Sequence, residues 1–378
     1  MLRLFTAGES HGKGLVGIIE GMPSNIYIDI NEINKDLARR QMGYGRGDRM
    51  KIERDKIEIL SGIRGGYTIG SPISFLIMNK DHENWKEFMD PILENKEDKM
   101  ITKPRPGHGD LTGYLKYNFK DIRNVVERSS ARETAVRVAA GSLMKQFLKN
   151  FDIEAVSHVT AIGSVKIKEA ITDTELIKKA DESEVRCVEA GTEKKMIDFI
   201  EEAKKHGDSV GGVFEIHIKG VPKGLGSYVH WDRKLDAKLS YGLMSVNGVK
   251  AVEIGYGFEN TTKFGSKAHD EIYYDKKLGY IRTSNSAGGI EGGMSNGEVI
   301  VLRCGMKPIP TLYKPLNTVD IITKEPALAT VERSDTCAVP AASIVGEMVA
   351  LSIIAEEFIR KFGGDSLEEI SKRWKDYI

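Results

Sequence analysis

Six short segments carry side chains that fold-building alone does not require. Gly8-Glu9-Ser10-His11-Gly12 holds a serine and a histidine between glycines, just ahead of the apolar run Leu15–Ile19. Glycine admits backbone conformations and close approaches that other residues resist, and histidine exchanges protons near neutral pH. Arg105-Pro106-Gly107-His108-Gly109-Asp110 repeats the arrangement around a second histidine. Arg39, Arg40, Arg46 and Arg49 fall within eleven residues, spaced by Gly43, Gly45 and Gly47; guanidinium forks grip phosphate and carboxylate in bidentate fashion, which lysine cannot. Arg128-Ser129-Ser130-Ala131-Arg132-Glu133-Thr134 puts hydroxyls and guanidinium groups at a helix start, where the dipole also favours anions. The glycine-rich stretch from Asn285 to Gly297 suits neither strand nor helix and reads as backbone arranged around something flat or anionic. Arg333-Ser334-Asp335-Thr336-Cys337 sets an arginine beside a potential general base. The chemistry these residues share is proton transfer on an anionic small molecule.

Helices and strands must bring these segments together. The spacing predicts a helix over 31–41, with Ile30, Ile33 and Leu37 on one stripe and Asp29 and Glu32 in capping-box register. Arg40 takes the next stripe position, where an arginine faces a buried anion or the edge of a site. A second helix starts at Ser130, capped by Ser130 and Glu133. Its small residues on most faces suit burial between two layers. A third begins at Pro340, a good first helical position, stays apolar on nearly every face to Ile354 and stops at Gly363-Gly364. Strand-like runs at Leu15–Ile19, Ile57–Leu60, Ile73–Met78, Ile153–Val165, Val213–Ile218, Ala251–Ile254 and Val299–Leu302 come in groups rather than alternating with helices. The expected fold is α+β: a β-α-β sandwich with buried helices between two antiparallel sheets, one domain over 1–378. A doubly wound sheet is the alternative, without a GxGxxG after any strand to support it. The polar connections 79–103 and 261–285 are long enough to be lids or binding loops, with 86–99 a charge-mixed, solvated run.

Composition narrows the partners. Lys+Arg and Asp+Glu both number 55, so no net field draws the chain to nucleic acid or a membrane surface. No apolar run reaches the about 18 residues that span a bilayer, and the N-terminus lacks a signal segment. Three scattered cysteines argue against a disulfide framework and for a reducing cytoplasm. His217 alternates with Glu215 and Lys219 on an expected solvated strand face. His82, His158, His206, His230 and His269 lack metal-ligand spacing, so no metal is expected. A phosphoryl-transfer enzyme would want a P-loop or paired aspartates, and neither is present. A polyanion-binding module would want a continuous basic face, which zero net charge opposes.

Three stretches resemble the chorismate synthase family: Gly8 to Gly12 continuing to Gly21-Met22-Pro23; Glu127 to Thr134 continuing to Gly141; and Arg333-Ser334-Asp335 continuing to Glu347. The likeness covers essentially the whole chain, with one departure at Gly248, where many relatives place alanine after the asparagine matching Asn247. The resemblance implies that 5-enolpyruvylshikimate 3-phosphate loses phosphate and a ring proton to give chorismate. It also implies FMN in its reduced form, with no net redox change, and a homotetramer. His11, His108 and Asp335 match the catalytic residues: His11 for phosphate departure, His108 for the protonation state of the reduced flavin, Asp335 for the ring proton. Arg128, Ser129, Ser130, Asn247, Gly248, Gly292, Lys307, Pro308, Ile309, Pro310, Thr311 and Arg333 match FMN contacts. Arg40 and Arg46 match positions assigned to NADPH, and equally suit substrate anions. Ser10, Arg49, Arg105 and Arg132 are the expected substrate contacts. With no nucleotide fingerprint in the chain, NADPH is expected only as an indirect reductant, through a separate flavin reductase.

Overall fold

The computed structural model describes residues 2–47, 53–93 and 99–377. Two antiparallel sheets form the outer layers. The first runs in the order β1 (Arg3–Ala7), β2 (Gly14–Glu20), β4 (Ile73–Met78), β3 (Ile57–Ile59). The second runs β8 (Val249–Ile254), β9 (Ile300–Met306), β7 (Gly212–Lys219), β5 (Glu154–Ile162), β6 (Val165–Lys166). Alternation decides which side of each strand is inward. On β4, Ile73, Phe75 and Ile77 are fully buried, while the residues between them are more open.

Helices α1 (Ile30–Gln41), α4 (Thr134–Lys149) and α6 (Val339–Phe362) fill the space between the sheets; α2 (Asp110–Tyr117), α3 (Arg123–Ser129) and α5 (Leu235–Met244) lie around them. α4 packs on β2 and on α6, and α6 packs on β5 and β7. Phe147, Phe151 and Phe358 join α4 to α6 in one aromatic cluster. Among the described residues α6 alone is long and apolar enough to cross a bilayer, but the core takes up its faces. Its buried Glu347 accepts from Arg39 at 2.9 and 3.1 Å and from Ser157 at 2.7 Å, tying α6 to α1 and β5.

The expected sandwich is therefore the observed one, with local differences. The apolar start at Leu4 and Phe5 is an edge strand, half-exposed because only one neighbour pairs with it. Ser130 caps a single 3-10 turn, Ala131–Glu133, before α4 begins at Thr134, and Glu133 pairs with Arg137 at 3.0 Å instead of reaching back to its cap. The 261–285 connection contains a hairpin, Ile272–Asp275 with Gly279–Arg282. Glu215 and His217 are buried, not solvated, because segments 170–172 and 282–285 close over that face. All three cysteines are free and buried, and burial pushes the Cys304 and Cys337 thiols up to about 12.

The two central helices touch at backbone distance. A Cβ on Gly141 of α4 would lie 2.4 Å from the carbonyl oxygen of Met348 on α6. Gly141→Ala therefore has to push the helices apart and is expected to cost about 1–3 kcal/mol. Urea unfolding followed by far-UV circular dichroism reads this directly; an unchanged midpoint would show that the helices separate freely.

Candidate active site

At one edge of the sandwich the sheets and helices leave a cleft of about 520 Å³. The β1–β2 loop contributes Ser10 and His11, the end of α1 Arg40, and the next loop Arg46. Arg105 and His108 come from the loop before α2, and Ser129, Ser130 and Arg132 from the junction of α3 with α4. Asn247 and Gly248 follow α5, Lys307 to Thr311 follow β9, and Arg333 and Asp335 precede α6. The lining is rich in cations, Arg40, Arg46, Arg105, Arg132, Lys250, Lys307 and Arg333, with the carboxylates Glu332 and Asp335. Apolar lining comes from Val126, Met244, Val246, Ala338, Ala341, Ala342 and Val345.

His11 is fixed from several sides. Glu127 Oε2 accepts its backbone N–H at 2.8 Å, and Glu127 Oε1 lies 2.8 Å from Nδ1. Burial alone would push the Glu127 carboxyl up, but the hydrogen bonds and charge of His11, with Arg123, hold it below its usual range. A carboxylate there requires Nδ1 to carry a proton, so Nε2 is the atom left to exchange one. Trp85 stacks on the imidazole with ring centroids 4.1 Å apart, and Lys99 Nζ lies 4.1 Å from the Trp85 ring centre. Asn79 anchors the loop, donating to the carbonyls of Glu9 and Gly12 at 3.1 and 2.8 Å.

His108 follows the same plan. Its Nδ1 is 2.5 Å from Asp110 Oδ1, and Asp110 Oδ2 accepts from Arg105 Nε at 2.8 Å. Burial opposes the Asp110 charge, yet the His108 and Arg105 hydrogen bonds outweigh it and hold this carboxyl well below the usual range. Arg105 also donates to Thr311 Oγ1 at 2.8 Å, and Lys307 Nζ bonds the Gly107 carbonyl, so the 307–311 segment is strapped to the His108 loop. Asn247 Nδ2 donates to the Ser129 carbonyl at 3.1 Å, and Gly248 accepts from Lys307 N at 3.0 Å. Gly248 has φ +84, the left-handed region where alanine is strained.

Several arginines already hold protein carboxylates. Asp55 lies between Arg132, at 2.6 Å, and Arg40, at 3.5 Å. Burial pushes Arg40 down to about 10 despite Asp55, with Arg132 and Arg46 adding to the fall. Arg46 pairs with Asp335 Oδ2 at 3.0 Å, while Asp335 Oδ1 accepts from Gly47 N at 2.7 Å. Arg333 reaches Asp81 at 2.6 Å.

The chain is similar to known proteins over its whole length. Residues 2–359 match the family model described as chorismate synthase. The chorismate synthase of Alkaliphilus metalliredigens is 67% identical over 377 residues, covering 100% of this chain and 99% of that one. That of Alkaliphilus oremlandii is 55% identical, covering 100% and 98%. A crystal structure of chorismate synthase superposes with a TM-score of 0.80 at 40% identity, covering 100% of this chain and 97% of that chain. The chain belongs to the chorismate synthase family. It is accordingly an enzyme acting on a small molecule.

Eighteen of the residues expected at the site line this one cleft, and two described ones, Arg128 and Gly292, do not. Arg128 is turned by the phase of α3 toward β1, where it donates to Thr6 and Gly8 carbonyls. Gly292 sits at the tip of the hairpin Ile290–Glu291 with Met294–Ser295, and nothing from Asn285 to Gly297 lines the cleft. Arg49 lies outside the described residues. The Ser129 hydroxyl donates to the Val125 carbonyl at 2.6 Å, and Ser130 Oγ accepts from Arg132 N at 3.3 Å, so both are engaged by backbone. Glu127 and Asp110 fall inside the motifs read from the sequence but carry no role there, and nothing in the sequence reading singles out Asp55 or Trp85. Trp85 had a signal, a large aromatic within a polar connection.

Two outcomes follow from these pairs. Arg132→Ala leaves Asp55 buried beside a weakened partner, and is expected to cost about 3–5 kcal/mol of stability, read as a lowered urea midpoint; a stable variant that merely loses ligand affinity would contradict the pairing. Asp110 and Glu127 sit below their ordinary values of 3.8 and 4.5. A depressed carboxyl contributes stability above its unfolded pKa and loses it as pH falls toward the folded one. The protein should therefore lose stability below about pH 4, and Asp110→Asn should flatten that acid limb. Thermal melts from pH 7 to 3 test this, and parallel curves for both proteins would refute it.

Proposed function

We propose that this cleft converts 5-enolpyruvylshikimate 3-phosphate to chorismate by 1,4-elimination of phosphate and a ring proton, as a carbon–oxygen lyase with reduced FMN bound beside the substrate. The observation that carries this reading is convergence. His11, His108 and Asp335, far apart in sequence, line one cleft together with many cationic and many apolar residues. A substrate with one phosphate and two carboxylates suits the cations, and a flat ring suits the apolar residues.

The residues present fit a flavin. Asn247 Oδ1 is buried without a hydrogen-bond partner among the described residues, and Gly248 beside it, at φ +84, brings bare backbone to the cleft with Met306 packed where a Cβ would stand. Ser129, Ser130, Asn247, Gly248, the 307–311 segment and Arg333 would hold it against the alanines of α6. When bound, reduced FMN supplies electron density that eases phosphate departure and is recovered afterwards.

The protein's own groups do the rest. His11, with Nδ1 engaged by Glu127, presents Nε2 to protonate the departing phosphate. His108, held by Asp110, maintains the protonation state of the ring beside it. Asp335 takes the ring proton, its carboxylate aimed by Arg46 and the Gly47 N–H. The engagement of Arg40 and Arg46 with Asp55 and Asp335 supports roles in shaping the substrate site over a dinucleotide site. NADPH then serves as an indirect reductant, through a separate flavin reductase. Exposed Phe258, Phe264 and Leu278 suit burial against further copies of the chain in a homotetramer.

An anaerobic assay with chemically reduced FMN tests the reading. Many turnovers per flavin are expected with reduced FMN and none with oxidised FMN. His11→Ala and His108→Ala should each lower kcat by about 10²–10⁴-fold with the fold intact, and Asp335→Asn should keep both ligands while slowing proton removal. Chorismate formed without reduced flavin, or one flavin consumed per product, would overturn it.

A further inference from the structure

A second cluster of chemistry-bearing side chains lies in the second sheet and shares no lining residue with the cleft. His158 on β5 stands directly opposite Glu215 on β7, and His217 is two residues beyond Glu215. Strand alternation therefore puts all three on one face. Phe214 and Ile216, flanking Glu215 along β7, point the other way and meet α6 at Gly346. The three residues are 0%, 3% and 2% exposed.

Their geometry is that of a ligand set. Glu215 Oε2 is 3.5 Å from His158 Nε2 and 3.2 Å from His217 Nε2, and one potential ligand atom from each residue falls within 4.8 Å of the others. A tetrahedral ion with bonds of about 2.0–2.1 Å holds its ligand atoms about 3.3–3.4 Å apart. Both ring nitrogens of His158, and Nδ1 of His217, are buried without a hydrogen-bond partner among the described residues. Buried polar atoms are nearly always satisfied, so an orphaned, fully enclosed imidazole calls for a partner. Arg303 occupies Glu215 Oε1 at 2.7 Å and leaves Oε2 to the imidazoles; its own charge is balanced by Glu253 at 2.8 Å. A cavity lined by Thr172, Ser284 and Asn285 abuts Glu215 and His217 and gives room for a fourth ligand.

We infer that His158, Glu215 and His217 bind one divalent cation of the zinc class, clipping β5 to β7. Two imidazoles with a single carboxylate select zinc-like ions over calcium or magnesium, which take oxygen ligands. The reading concerns a site separate from the elimination chemistry, so the two fail independently.

The test uses the full chain, stripped with chelator and titrated with Co²⁺. Four-coordinate Co²⁺ should give visible d–d bands that plateau near a single equivalent per chain, collapse on adding Zn²⁺, and accompany a Tm raised by Zn²⁺. His158→Ala and His217→Ala should abolish the bands, and Glu215→Gln, which keeps the volume, should weaken binding by roughly tenfold or more. Should the alanine variants fail to fold, the wild-type titration decides alone: no bands and no Zn²⁺-dependent Tm overturn the inference. Bands that persist in a folded His158→Ala variant overturn it equally.

Discussion

The buried carboxylate of Asp55 organises the cleft. It stands at the entry to β3 and is shared by Arg132, from the α3–α4 junction, and Arg40, from the end of α1. Arg132 also donates to Asn79 at 2.8 Å, and Asn79 in turn holds the carbonyls of the His11 loop. A chain of bonds thus runs from a buried aspartate to the histidine that faces the ligand. Each member would be costly to bury alone, because an uncompensated charge in the interior loses its hydration without return. The loop's position is set by this network more than by its own short sequence.

The same economy governs the rest of the cationic lining. Arg105 is matched by Asp110, Arg46 by Asp335 and Arg333 by Asp81. The guanidinium groups are therefore held in place before any ligand arrives, which lowers the ordering cost of binding.

Much of this was legible in the residues. The β4 boundaries at Ile73 and Met78 and the start of α6, at Val339 with Pro340 in its first turn, follow from alternation and from proline's fixed φ. Arg40, sitting where a core residue belongs, announced a buried anion; the anion proved to be the protein's own Asp55. The partners of the histidines were not legible, because Glu127 is 116 residues from His11 and nothing local marks the pair. Arg128 and Gly292 were placed by likeness of motif, and helical phase and a hairpin tip carried them elsewhere. The burial of His217 was hidden for a related reason: what covers a strand face is decided by distant segments, not by the strand.

The long sequence separations in the cleft have a consequence for biosynthesis. His11 waits for Glu127, Arg105 for Thr311 and Asp81 for Arg333, contacts separated by 116, 206 and 252 residues. The apolar part of the lining waits longer still, for Ala341 and Val345 on α6. At elongation rates of about 5–20 residues per second, roughly a quarter of a minute to a minute separates translation of His11 from that of Asp335. Throughout that interval the nascent chain carries arginines and carboxylates whose partners have not yet been made. The cleft is complete only once α6, residues 339–362, has been made and packed between the two sheets.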